Sequence, residues 1–420
     1  MLSSGGGQVQ WLKPLDFYSR FRPASLTMKQ YLDFGRTGTA ESSYQFLRTE
    51  LLVRMSNIMK EFDLLPLSLL QTPSAQLVEG WYKQSFEELL QFRDLEPSKE
   101  TNTKFNNQIR QILRRHNTVV ETMAEAIIEL KESSGIDMAS ERNIQYFLDR
   151  FYLNRISIRM LQNQHLSIFA ECGPESNGHV GHIDPHCNVR EIIIDAYENA
   201  RALCEQHYCV APYLDLHCVD TIARASETHA DEHEVTVPLV PLHLYYIVFE
   251  VIKNAMRATI DHHARADQLP EIKVMVILGN ENLSIKVSDQ GGGVPQRKLD
   301  HLFHYLYSTA PQPRRNQSST PFAGYGYGLP ISRLYARYFL GDLFLFSMEG
   351  WGTDACIHFK ANPAEASELL PVYGSYSRRI LSDISPKVPD WCFQERKTPK
   401  TITPPETSRI DDSPTKIATA

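Results

Sequence analysis

Glu250, Asn254 and Arg257 stand at i, i+4 and i+7, so a helix would carry a carboxylate, an amide and a guanidinium on one face. A carboxylate can take a proton from a hydroxyl, an amide oxygen can ligate Mg²⁺, and a guanidinium can contact phosphate. Tyr245, Phe249, Ile252 and Met256 make a separate apolar stripe on the same segment. Further along, Asp289-Gln-Gly291-Gly292-Gly293-Val-Pro295 follows an alternating strand pattern. Its glycines let backbone approach a flat ligand, and its acid can accept a hydrogen bond from an amino group. A third segment, Gly324-Tyr325-Gly326-Tyr327-Gly328-Leu329-Pro330, runs into a helical pattern. Glycines ahead of a helix N-terminus form a nest for phosphate. Singly, these motifs also fit a solvated helix face and ordinary glycine turns; their order and spacing make them a set.

The elements that must hold them fall into two textures. From about Ser25 to Ile168 apolar residues recur at three- and four-residue spacing, as in Phe147, Phe151, Ile158 and Leu161. Four long helices are predicted, Ser42–Phe62, Thr72–Leu95, Asn102–Lys131 and Ser140–Phe169, separated at Pro66, Pro97 and Ser133-Ser134-Gly135. Short connections between four such helices predict a bundle. Glu171–Asn188, rich in Gly and Pro, reads as a linker. Beyond it, helices at Val189–Tyr208, Leu242–His262, Gln296–Leu306 and Leu329–Phe339 mix with two hairpins. One is Glu271–Leu278 with Leu283–Ser288, the other Asp342–Met348 with Thr353–Lys360. The chain therefore reads as α + α/β. A short N-terminal segment (1–24) precedes a four-helix bundle (25–170), and the linker (171–188) leads to an α/β sandwich with a mixed sheet (189–370). A tail (371–420) follows, with a Pro/Thr/Ser-rich end.

Composition narrows the class. The 420 residues allow two or three domains. Lys+Arg total 43 against 50 Asp+Glu, a net charge of −7, which gives no global reason to bind nucleic acid or an anionic membrane. No apolar run approaches the roughly 18 residues of a membrane span. Seven cysteines without a CxxC pair argue against a disulfide scaffold or zinc ribbon. His179, His182 and His186 sit in the glycine-rich stretch with no HExxH helix and read as loop histidines. The first nineteen residues hold no Arg and one Lys, Lys13, unlike a typical mitochondrial presequence.

The sequence E-x-x-K-N-A, then D-x-G-G-G, then G-x-G-x-G-L resembles the three nucleotide boxes of the Bergerat-type (GHKL) ATP-binding fold shared by histidine kinases, Hsp90, gyrase B and MutL. Tyr307-Ser308-Thr309-Ala310-Pro311, Gly324 through Arg333, Gly352-Thr353-Asp354, Tyr146 through Tyr152 and Met28 through Gly35 closely resemble the mitochondrial pyruvate dehydrogenase kinases. The resemblance spans roughly residues 15 to 392. A histidine kinase would need a phospho-accepting His, for which His116, followed by Asn117, is the bundle's candidate. The branched-chain 2-oxoacid dehydrogenase kinase is the nearer alternative, and the local matches favour the pyruvate enzyme.

The resemblance implies a serine kinase that inactivates the pyruvate dehydrogenase component, in the mitochondrial matrix, using ATP with Mg²⁺, and K⁺ as a further ion. It implies Glu250 as general base and Asn254 as Mg²⁺ ligand. Glu250, Val251, Ile252, Lys253, Asn254, Ala255, Met256 and Arg257 would form one wall for ATP. Asp289, helped by Thr353, would accept from the adenine amino group. Ser308 and Thr309 would lie over the nucleotide, and Gly324, Tyr325, Gly326, Tyr327, Gly328 and Leu329 would wrap the phosphates. Leu26, Tyr31, Phe34 and Phe46 correspond to a pocket for the lipoyl domain of the dihydrolipoyl acetyltransferase, and Asp390-Trp391 to a tail motif that docks in a homodimer. Tyr82, Ser85, Ile112, Leu113, His116, Arg155, Ile158 and Arg159 map to an allosteric pocket for pyruvate and dichloroacetate. Two residues depart from the family. Tyr246 replaces a His one turn before Glu250. Leu113 replaces an Arg, which predicts weak inhibition unless Arg114 or Arg115 swings in.

Overall fold

Polar caps set where the bundle helices begin. Thr27, Thr39, Thr72 and Ser98 each accept from the backbone N–H three residues on. The computed structural model describes residues 11–134, 141–171, 178–221, 234–265, 268–307 and 326–374. Eight helices lead: α1 (Leu12–Tyr18), α2 (Met28–Thr37), α3 (Ala40–Phe62), α4 (Leu67–Leu70), α5 (Pro73–Leu90), α6 (Lys99–Arg115), α7 (Val119–Ser134) and α8 (Arg142–Leu166). Helix α3 packs on α5 and α8, α7 packs on α5, and α6 lies against α3, α5 and α8. Phe62, Tyr82, Phe147 and Phe151 meet at the centre, with ring centroids 5.3 to 6.2 Å apart.

The continuous helix expected over Asn102–Lys131 is two helices, α6 and α7, broken at His116-Asn117-Thr118. The break is held from outside. Arg155 on α8 donates to the freed carbonyls of His116 (3.0 Å) and Asn117 (3.3 Å), which replaces the intrahelical bonds.

Asp184–Asn188 (β1) falls inside the stretch read as a linker and pairs with Thr236–Leu239 (β3) in a two-stranded antiparallel sheet. The α/β part then comprises α9 (Val189–Tyr208), β2 (Leu214–Asp220), α10 (Pro241–His262), β4 (Ile272–Leu278), β5 (Asn282–Ser288), α11 (Gln296–Leu299), α12 (Gly328–Tyr338), β6 (Asp342–Met348) and β7 (Gly352–Lys360). The helix expected over Gln296–Leu306 stops at Leu299 and continues as one 3₁₀ turn, Asp300–Phe303. Strand order is β2-β4-β5-β7-β6, parallel only between β2 and β4, so the sheet is mixed. Both hairpins form as the alternation implied. Val274 faces Val287, Val276 faces Ile285 and Leu278 faces Leu283 on the buried side. That side packs under α9, α10 and α12 through Ile193, Ala196, Ile247, Val248, Ile252 and Met256.

The chain after β7 is not a free tail where it is described. Residues 366–373 dock on the bundle. The buried Glu368 carboxylate takes Arg54 in two hydrogen bonds, the Tyr31 hydroxyl (2.8 Å), the Tyr338 hydroxyl and the Leu26 N–H (3.0 Å). Arg150, paired with Glu61, donates to the Val372 carbonyl at 2.9 Å, and Asn57 accepts from the Tyr373 N–H at 2.9 Å. Removing one member of such a buried pair typically costs about 3–5 kcal/mol, because the other charge is left without a counter-charge. The polar core therefore ties the C-terminal strand of the sheet to the bundle.

Candidate active site

Helix α10 crosses the sheet with its apolar side down, and the opposite side opens into a cavity of about 900 Å³. Glu250, Lys253, Asn254 and Arg257 line it from α10. Lys253 Nζ donates to Glu250 Oε1 at 2.6 Å, which fixes the carboxylate and offsets its charge. Val251 and Ala255 also border the cavity. Ile252 and Met256 do not. Both are fully buried against the sheet, because the helical period turns them into the core. The expectation that the whole stretch Glu250–Arg257 faces the nucleotide is corrected at these two positions. Tyr245 and Phe249, placed with the apolar stripe, are only partly buried at its edge.

Asp289 follows β5 and lines the same cavity. Its Oδ1 accepts from the Gly291 N–H (2.8 Å) and the Thr353 N–H (3.2 Å). Burial nevertheless pushes its carboxyl up from the usual carboxylate range to about 6. The backbone here has no room for side chains. A Cβ on Gly291 would meet Ala258, and Gly292 and Gly293 hold φ of +78° and +64°. Gly326 (φ +69°), Tyr327, Gly328 and Leu329 supply the next wall. Gly328 opens α12, whose first N–H groups have no side-chain cap. Such a terminus favours an anion. A Cβ on Gly328 would collide with the Glu250 carboxylate, so the phosphate turn and the acid must share one space. The cavity can thus hold an adenine at Asp289, phosphates at the α12 terminus and a hydroxyl at Glu250.

Ser308, Thr309, Gly324 and Tyr325 lie outside the described residues, as do Asp390 and Trp391. Residues not foreseen are Val120, Glu121, Ala124, Glu125 and Ile128 of α7, which close the cavity from the bundle. No local signal points to them, since only the docking of the two halves brings α7 there. Tyr246 borders the cavity, and burial together with the nearby Glu250 charge pushes its phenol up. It is therefore a neutral hydroxyl in place of a titrating imidazole.

The other two predicted sites fare differently. Phe34 (40% exposed) and Phe46 (36%) are on the surface, Leu26 is half-buried, but Tyr31 is 5% exposed with its hydroxyl committed to Glu368. Tyr31 does not line an open pocket with the phenylalanines, because its helix turns it into the polar core. In the bundle, Tyr82, Ser85, His116 and Arg155 do meet. The Tyr82 and His116 rings are 4.6 Å apart, and Ser85 Oγ lies 2.9 Å from His116 Nε2. Burial pulls the His116 imidazole down to about 4. Ile112 and Ile158 are buried and Leu113 half-buried. Arg115, rather than Leu113, reaches the cluster, bonding Ser85 Oγ (2.8 Å) and Glu88 (2.8 and 2.7 Å). Arg114 is exposed. The Nη1 of Arg159 is buried with no hydrogen bond among the described residues, and its pKa is lowered by burial and by Arg155.

Two family profiles match this chain: the mitochondrial branched-chain alpha-ketoacid dehydrogenase kinase profile over residues 25–184, and the histidine kinase-, DNA gyrase B- and HSP90-like ATPase profile over 239–363. The sandwich with its three boxes is thus a GHKL-type ATPase domain behind a kinase-type helical domain. The chain is 56% identical over 90% of its length to the probable pyruvate dehydrogenase (acetyl-transferring) kinase of Caenorhabditis elegans, 92% of which is covered. It is 56% identical over 91% to the enzyme so named in Ascaris suum (94% covered), and 51% over 93% to isozyme 1 of Homo sapiens (88% covered). The chain belongs to the pyruvate dehydrogenase kinase family.

Proposed function

We infer that this chain is a mitochondrial ATP-dependent serine kinase that phosphorylates, and so inactivates, the pyruvate dehydrogenase component of the pyruvate dehydrogenase complex. The observation that carries the mechanism is the shared space of Glu250 and Gly328. The acid that would accept a serine proton lies against the turn that would hold the transferred phosphate. Asp289 accepts from the adenine amino group, and the N–H groups of α12 hold phosphate oxygens. Lys253 holds the Glu250 carboxylate in place by its hydrogen bond until the serine hydroxyl arrives. Glu250 takes that proton as the serine oxygen attacks the γ-phosphorus in line, the bond to the β–γ bridging oxygen breaks, and ADP leaves with that electron pair. The donor set suits Mg²⁺, which keeps most of its waters and takes few protein ligands. The half-buried Asn254 amide in the cavity wall would hold it, and it would neutralise triphosphate charge.

Four finer assignments go with this reading. Among the described residues no helix is long and apolar enough to cross a membrane, which accords with a matrix location. The edge strand β6 turns Phe344, Phe346 and Met348 outward, beside Trp351. An unpaired edge with that apolar face suits a second copy of this chain, giving a homodimer. Phe34 and Phe46 would receive a lipoyl group, and Arg159, whose buried Nη1 makes no hydrogen bond among the described residues, would receive a small carboxylate such as pyruvate. The test is transfer of radiolabel from ATP to serine on the pyruvate dehydrogenase component. The branched-chain 2-oxoacid dehydrogenase component serves as the competing acceptor, and label on it alone would overturn the choice of substrate.

A further inference from the structure

One wall of the cavity is built by Tyr307, Gly326 and Tyr327, and helix α8 of the bundle fastens this wall. Gln145 on α8 grips the backbone of Tyr305 with both ends of its amide. Its Oε1 accepts from the Tyr305 N–H at 2.8 Å, and its Nε2 donates to the Tyr305 carbonyl at 3.3 Å. One turn on, Asp149 accepts from the Tyr305 hydroxyl at 2.9 Å. One further turn on, Tyr152 packs its ring 5.4 Å from Tyr305 and 6.0 Å from Tyr327. Gln145, Asp149 and Tyr152 stand at i, i+4 and i+7 and so form one stripe of α8. From Tyr305 the chain continues directly into the site. The Leu306 N–H donates to the Gly326 carbonyl at 3.2 Å, with Leu306 itself in a left-handed conformation (φ +64°). Two residues later Gly328 abuts Glu250.

A non-glycine residue at positive φ persists only where its surroundings hold it. A side-chain amide that copies a strand pairing is a way to hold it. We propose that Gln145 is a positioning residue for phosphoryl transfer: through its two hydrogen bonds to the Tyr305 backbone, a helix of the bundle sets the phosphate-side wall of the nucleotide cavity and the distance between Gly328 and Glu250. Asp149 and Tyr152 support the same grip. The inference rests on reading the cavity as the nucleotide site.

Gln145→Met keeps the length of the side chain and removes both hydrogen bonds, whereas Gln145→Glu keeps the acceptor for the Tyr305 N–H. In the full-length protein, titration with a fluorescent ATP analogue should show binding weakened about tenfold in Gln145→Met and less in Gln145→Glu. Maximal phosphorylation rate should fall in the same order, with the Michaelis constant for the protein acceptor unchanged. Amide hydrogen exchange at Tyr305 and Leu306 should quicken while the bundle core stays protected. Should Gln145→Met fail to fold, Gln145→Glu still tests the grip through the bond to the Tyr305 carbonyl, and Tyr305→Phe tests the supporting bond to Asp149. Unchanged binding and rate in both the Gln145 variants and Tyr305→Phe, with Asp289→Asn binding weakly, overturns the proposal while leaving the cavity assignment intact. Equal binding in the unaltered protein and Asp289→Asn overturns the cavity assignment, and this proposal with it.

Discussion

The cavity beside α10 and the arginine cluster of the bundle solve opposite problems. The cavity is large and open. Its charges are matched, Glu250 by Lys253, and its backbone is bared by glycines. The cluster is packed, with Tyr82, Ser85 and His116 all buried. His116 is held neutral by burial, Arg155 donates to the carbonyls between α6 and α7, and Arg155 Nε and Arg159 Nη1 are buried with no hydrogen bond among the described residues. A ready site shows its function in residues that are neighbours in sequence. A site that stores an unpaid desolvation cost shows it only when three helices are assembled.

Short of replacing Glu250 itself, the largest effect is expected at Gly328→Ala. The added Cβ needs the place of the Glu250 carboxylate, and a displacement of about 1 Å at a reacting group costs on the order of a hundredfold. Serine phosphorylation should fall by about that much, with a melting temperature close to the original. Activity within a factor of about two of the unaltered enzyme would break the shared-space account.

Next comes Asp289. Its folded-state pKa is raised to about 6, so the empty protein carries a growing share of protonated carboxyl as pH falls through that value. Adenine binding needs the ionised acceptor, so affinity should rise with pH through about 6 and level off above it. The same shift makes the empty fold less stable as pH rises through this window, since the native state then holds the proton more tightly than the unfolded chain. Asp289→Asn should weaken nucleotide binding about ten- to a hundredfold at neutral pH and flatten the profile. A profile that stays steep in the variant would assign the titration to another group.

The two arginines of α8 sharpen the contrast. Arg159→Met should leave the empty protein as stable as before or more so, since it removes a guanidinium whose buried Nη1 makes no hydrogen bond among the described residues. It should also lose at least about tenfold in dichloroacetate inhibition. Arg155→Met should instead lower stability by about 1 kcal/mol, as loss of a helix cap does. Thermal melts with and without dichloroacetate separate the two, and equal loss of stability in both would remove the distinction. The smallest effect is expected at Leu113→Arg. Arg115 already occupies the Ser85 and Glu88 side of the cluster, and a further cation meets repulsion from Arg155 and Arg159. The gain in dichloroacetate inhibition should be about fivefold or less in a rate-inhibition curve.

What the sequence disclosed follows the same divide. Both sheet hairpins and α10 were legible because alternation and helical period are local, and Glu250, Asn254, Asp289, Gly291, Gly293, Gly326 and Gly328, grouped by type and spacing, do line one cavity. The break between α6 and α7 was not legible, because its carbonyls are satisfied by Arg155 from a distant helix. Nor was the inward turn of Tyr31 toward Glu368, more than three hundred residues away in the chain. Short strands β1, β2 and β3 carried too little alternation to stand out. The bundle's share of the cavity, Glu121, Glu125 and the Gln145 grip, depends wholly on how the two halves meet.

The central claim is that Glu250 is the base for serine phosphorylation in this cavity, and Glu250→Gln tests it most directly. A single-turnover assay with radiolabelled ATP and the pyruvate dehydrogenase component should show serine labelled by the unaltered enzyme. The variant, whose amide cannot take the proton, should be slowed by roughly a hundred- to ten-thousandfold while its nucleotide binding is retained. Serine labelling at an undiminished rate by Glu250→Gln, with nucleotide bound as before, would contradict it.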